Sequence, residues 1–103
     1  MKEGQYNIEL SEEAENDFEN SYQYYFSDSP KVANAFFQSV NTSLATIRST
    51  PFSFPVVHKG LRKYTIKKFP FIIYYQVSNN SIKVLAIFHT SRDPRIWKKR
   101  VKE

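Results

Sequence analysis

The sequence predicts a two-layer α+β domain, a helical hairpin packed on one face of a mostly antiparallel sheet, in the order β-α-α-β-β-β. Three observations carry that reading. Ser11 precedes a pair of glutamates and Ser29-Pro30 follows some seventeen residues later, so two helices start in succession with only a short turn between them. Two runs rich in β-branched and aromatic residues, 70–77 and 82–89, flank the tetrad Ser78-Asn79-Asn80-Ser81, which suits a tight hairpin turn. At 103 residues the chain can bury one core and not two, so a single domain over 1–103 is expected.

Taken in order, QYNIEL at 5–10 alternates, with Tyr6, Ile8 and Leu10 on one side, and reads as a short strand. A helix over about 12–27 follows, capped by Ser11, with Glu12 and Glu13 where a helix dipole favours negative charge. Its apolar stripe is Ala14, Phe18, Tyr22 and Tyr25. In the second helix Ala33, Phe37, Val40, Leu44 and Ile47 recur at helical spacing, and Thr50-Pro51 ends it. Two heptads after a short turn suit a hairpin on its own sheet better than a coiled coil. PFSFPVVHKG at 51–60 holds two prolines and is expected to be an irregular connection. Strands follow at about 61–67, 70–77 and 82–89. Pro94 blocks further strand, and IWKKR suits a short terminal helix.

Strand alternation places His89 with Lys83, Leu85 and Ile87, and Val84, Ala86 and Phe88 on the other face. It likewise sets Arg62 and Tyr64 opposite Lys63 and Thr65. A helical hairpin covers only one face. The expectation is therefore a cationic pocket on the uncovered face, built from Arg62 or Lys63 and the bases after the last strand, Arg92 and Arg95. Arginine binds phosphate in bidentate geometry. Tyr64, Tyr74, Tyr75 and Trp97 either stack on unpaired bases there or, as is commoner for such residues, fill the core. His89 beside Arg92 and Arg95 has two readings: a proton shuttle next to a charge-stabilising arginine, or a ring that bonds a nearby backbone group or Asp93. Glu12, Glu15 and Glu19 read as plain helix surface.

Composition narrows the classes. Gly4 and Gly60 are the only glycines, which excludes glycine-rich phosphate loops. There is no cysteine, hence no disulfide or thiolate chemistry, and His58 and His89 are too few for a typical zinc cluster. No metal and no cofactor is expected. The first residues lack an apolar leader and no stretch reaches membrane-span length, so a cytoplasmic location with no membrane partner is expected. Charge is polarised: residues 1–28 set eight acids against Lys2, whereas residues 29–103 set fourteen bases against Asp93 and Glu103. Such a chain suits a polyanion or an acidic protein segment as partner.

The order β-α-α-β-β-β, with Arg62 ahead of FPFIIYY at 69–75 and the ending His89-Thr90-Ser91-Arg92-Asp93-Pro94 with Trp97, resembles the RelE/ParE toxin family of bacterial type II toxin–antitoxin systems. The resemblance spans nearly the whole chain. It implies a small basic toxin neutralised by a cognate acidic antitoxin, in a homodimer or a toxin–antitoxin heterotetramer. Under it Lys67, Lys68, Lys98, Lys99 and Arg100 are antitoxin contacts, and Arg62, Lys63, Arg92, Arg95 and Trp97 are target or phosphate contacts. RelE-like members are mRNA endoribonucleases (mRNA interferases) that act on the ribosome; ParE-like members inhibit DNA gyrase. Lys63 and Arg92 fall on positions of the nuclease pattern, with His89 as a further catalytic candidate. Thr65 and Ile72 stand where that pattern has a lysine and an arginine, and Trp97 falls near its tyrosine. The ending His89 to Trp97 is more similar to the ParE branch. An inactive remnant or a basic binding module is the third reading.

Overall fold

The computed structural model describes residues 6–101; the predicted strand start at Gln5 and the charges of Lys2, Glu3 and Glu103 lie outside the described residues. Helices α1 (Glu12–Asp28) and α2 (Pro30–Ser49) pack on one face of a five-stranded sheet. Its strands are β1 (Asn7–Leu10), β2 (Val56–His58), β3 (Leu61–Thr65), β4 (Phe71–Ser78) and β5 (Ser81–His89), and a one-turn helix α3 (Arg95–Lys98) follows. The sheet order is β1-β5-β4-β3-β2, with β1 parallel to β5 and every other pair antiparallel. The α+β hairpin-on-sheet expectation holds.

Local chemistry sets the helix ends. Ser11 Oγ accepts the Ala14 N–H at 3.1 Å, and Glu12, Glu13 and Glu15 fill the first turn of α1. Ser29 serves both helices: its N–H donates to Tyr25 O and its Oγ accepts from Val32 N–H, with Pro30 at the first helical position. One residue thus stops α1 and starts α2, which makes the hairpin tight.

The buried face of α2 is Ala33, Phe36, Val40, Ser43 and Ile47, one step round from the predicted stripe; Phe37 is 40% exposed. Phe36 wins because its ring meets Phe71 at 4.9 Å, Phe69 at 5.4 Å and Phe18 at 5.6 Å between centroids. Ser43 tolerates burial because its hydroxyl donates to Ser39 O at 2.7 Å.

Two further corrections concern the sheet. The segment 51–60 is not wholly irregular, since Val56–His58 pairs with β3. Lys59 (φ 48°) and Gly60 (φ 79°) form the two-residue left-handed turn that reverses the chain, the turn geometry that matches sheet twist. The second is a bulge in β5. Tyr74 faces Ala86 and Tyr75 faces Val84, which leaves Leu85 as an extra residue. Alternation therefore flips: Ile82, Val84 and Ile87 all turn to the helices, while Ala86 and Phe88 turn to the other face. The predicted grouping of Val84 with Ala86 and Phe88 fails for that reason.

The sheet accordingly has two cores. The larger lies under the hairpin, around Phe36, Ile73, Tyr75 and Val84. The smaller, on the far face, gathers Leu61, Tyr74, Ala86, Phe88 and Trp97. Trp97 stacks on Tyr74 with centroids 3.8 Å apart and planes 19° apart, so α3 plugs the centre of the face that the hairpin leaves bare.

Tyr75 is fully buried, and its hydroxyl donates to Pro51 O at 2.7 Å, tying β4 to the end of α2. Burial pushes this phenol up to about 12, outweighing the nearby Arg62. A folded pKa above the unfolded value near 10 means that the unfolded chain loses its proton first. The stabilisation is complete below about pH 10 and is lost as pH rises towards 12. Urea unfolding followed from pH 8 to 12 is expected to show a plateau and then a decline. Tyr75→Phe should start lower by about 1 kcal/mol and decline less.

Candidate functional site

The basic ending is held to the fold by one buried carboxylate. β1 leaves β5 at Leu10↔Val84, so among the described residues no strand lies beside the β5 edge beyond that point. Side chains complete it. Asp17 of α1, 6% exposed, accepts the Ile87 N–H through Oδ2 at 3.0 Å. Arg100 donates through Nη1 to Leu85 O at 3.0 Å and to Asp17 Oδ2 at 2.7 Å, and through Nη2 to Asp17 Oδ1 at 3.2 Å. Arg92 Nη1 stands 3.6 Å from Asp17 Oδ1, and its guanidinium lies 4.1 Å over the Phe88 ring. Two guanidiniums thus share one carboxylate, and one positive charge remains in surplus.

In the sequence Asp17 is one of the eight acids of residues 1–28 and draws no role of its own. Its position gives a signal: it lies three residues after Ala14 and one before Phe18, within the apolar stripe.

The predicted cationic pocket is not assembled as expected, because each of the five arginines already has a partner inside the molecule. Arg62 Nη1 donates to Phe54 O at 2.6 Å and its guanidinium sits 5.1 Å from the Phe52 ring, so it clamps the 51–55 loop rather than joining Arg92. Arg95 chelates Asp93 at 2.7–3.2 Å. That contact and the Arg95 backbone N–H hold the Asp93 carboxyl below the usual carboxylate range. Arg48 donates to Tyr6 O, and Arg100 belongs to the Asp17 pair instead of a solvated tail. Lys63 lies opposite Tyr74 on β4, in the strand alternation of Leu61 and hence on the face of Trp97. Tyr74, Tyr75 and Trp97 are core residues, and Tyr64 packs its ring edge on Phe54 at 4.9 Å, so none is a free stacking platform.

His89 and Arg92 do share a cleft of about 330 Å³, with Ser91, Phe71, Tyr24 and Tyr25 among its walls. His89 Nδ1 accepts the Ser91 N–H at 3.1 Å and lies 2.8 Å from Ser91 Oγ; its ring edge meets Phe71 at 5.1 Å. The backbone bond leaves Nε2 as the protonated nitrogen of the neutral ring. Lys67 and Lys68 border a different groove, between α2 and β3, and Lys98 and Lys99 line a hollow beside α3. The structure therefore does not gather the predicted site residues into one place.

A helical hairpin on this sheet, followed by a basic ending, is the arrangement that the RelE/ParE resemblance implies. Residues 8–94 match the family model described as the ParE toxin of the type II toxin–antitoxin system, parDE, and the chain belongs to that family. Among solved structures it is similar to one titled "Chromosomal ParDE TA system from P. aeruginosa", with a TM-score of 0.75 at 18% identity over 85% of this chain and 99% of that one. At that identity the likeness speaks for the fold. No curated protein sequence matches the chain. Among the described residues no helix is long and apolar enough to cross a membrane.

Proposed function

We propose that this toxin acts as a ParE-like inhibitor of DNA gyrase in the cytoplasm and is held inactive by an acidic antitoxin. The observation that carries this reading is the internal commitment of the arginines. A phosphoryl-transfer site needs several charged groups free to meet the transition state together, and such groups act as a unit. Here Arg92 shares the Asp17 carboxylate with Arg100, and Thr65 and Ile72 bring no charge where the nuclease pattern has a lysine and an arginine. Inhibition by binding needs none of that machinery. Exposed Lys67 and Lys68, at the groove between α2 and β3, suit an acidic antitoxin segment.

Purified toxin is expected to block supercoiling by gyrase or trap DNA cleaved by it. Full supercoiling at high toxin concentration removes gyrase as the target. The second reading, a ribosome-dependent nuclease, is favoured by the shared cleft of His89 and Arg92. It requires codon-dependent mRNA cuts on translating ribosomes that weaken strongly in His89→Ala. Induced expression without antitoxin separates the two: a DNA-damage response goes with gyrase, translation arrest with the nuclease. Harmless expression goes with an inactive remnant.

A further inference from the structure

We propose that the lysine surface beside α3 docks on the phosphate backbone of duplex DNA. This deepens the gyrase reading, whose target holds DNA, but it is measured without gyrase. Arg95, Lys98 and Lys99 stand at i, i+3 and i+4, so they share one side of the single turn while Trp97 points the other way into the sheet. With Lys59 and Val101 they line a hollow of about 400 Å³. The Arg95 charge is met by Asp93, which leaves Lys98 and Lys99 as the surplus there. Their field reaches that carboxyl, adding to the downward pull of Arg95 on it. Lys99 also borders a second hollow with Glu13, Lys83 and Arg100, where the charges of Lys83 and Arg100 are met by Glu9 and Asp17. Lys63 extends the same side of the sheet, whereas Glu12, Glu15 and Glu19 belong to the hairpin layer.

The surface is rich in charge and poor in anchors. A protein segment draws most of its affinity from apolar side chains seated in pockets. The large aromatic of α3 is already buried in its own fold, and Ile96 is the exposed apolar residue of that helix. A phosphate backbone asks for spaced cations and gains affinity from counterion release. Lysine ammonium groups supply point charge without the planar fork that reads bases, so binding should be independent of sequence.

The test is fluorescence anisotropy of a labelled 20-base-pair duplex titrated with the whole chain across a salt series. Binding should weaken with a log–log salt slope of about −3, as expected for three to four phosphates. Lys98→Gln with Lys99→Gln should cut affinity at low salt at least tenfold and lower the slope by about 2. Lys67→Gln with Lys68→Gln, an equal loss of charge at the other groove, should leave both unchanged. No binding at low salt overturns the proposal. So does an equal loss from both pairs, which means diffuse attraction, or stronger competition by a glutamate-rich peptide than by unlabelled duplex, which means an acidic protein partner. A Lys98/Lys99 variant that loses DNA binding but still blocks gyrase overturns the functional link and leaves gyrase inhibition standing.

Discussion

Asp17→Ala is expected to cost about 3–5 kcal/mol, the range for removing one partner of a buried ion pair. Three losses coincide. The Arg100 guanidinium, with a side chain 13% exposed, loses both carboxylate oxygens and keeps only Leu85 O. The Ile87 N–H loses its acceptor on a stretch of edge that β1 does not reach. Arg92 and Arg100, both within 6 Å of the Phe88 ring, then face each other without an intervening negative charge. For a chain of this size the midpoint of thermal unfolding should fall by about 10 °C or more. Asp17→Asn should recover part of the cost, since an amide oxygen still accepts the Ile87 N–H. A double change, Asp17→Ala with Arg100→Leu, should be milder than Asp17→Ala alone, because it removes the uncompensated charge. It will not restore the original stability, since the Ile87 N–H and Leu85 C=O stay without those partners. A double variant as unstable as the single one would show that the carboxylate acts on the backbone and not on the guanidinium.

Asp17 also shows where the sequence stopped being readable. The helix starts and the β4–β5 turn were legible because their determinants are local: Ser11 and Ser29 cap helices a few residues away, and Asn79 takes a left-handed φ of 55° at the turn itself. The bulge at Leu85 was not legible, because nothing in IKVLAIFH marks which residue is extra; that is set by how β4 and β5 both meet their cores. It reversed the face of Val84 without changing a single local preference. The charged ending was half legible. The family resemblance drew on the element order, Arg62, the run at 69–75 and the ending His89 to Trp97, and the family match over residues 8–94 bears out the family. Whether the arginines were free depended on groups far away, the Asp17 carboxylate 83 positions from Arg100 and the 51–55 carbonyls at Arg62. Alternation can assign a side chain to a face but cannot tell whether another element has already claimed it.

Trp97→Ala is the second large effect, about 3–5 kcal/mol for emptying an aromatic site of this kind. The ring is 6% exposed, lies flat on Tyr74, and receives the edge of His58 at 6.0 Å. Its loss bares Leu61, Ala86 and Phe88 on the face that no helix pair covers. Trp97→Phe should keep roughly half of the stacking area and cost less. The change also tests how the ending is held, because Arg100 and Trp97 are two anchors on one short segment. Once either lets go, the other has less to hold, so Asp17→Ala and Trp97→Ala should combine for less than their sum, with a coupling of about 1 kcal/mol or more. Trp97 is the only tryptophan, which makes its emission a direct report on docking in the Asp17 variant. A red-shifted spectrum at a denaturant concentration where the helices remain folded would show α3 leaving first. Strict additivity, with an unshifted spectrum up to global unfolding, would instead mean that the two anchors secure separate parts of the molecule.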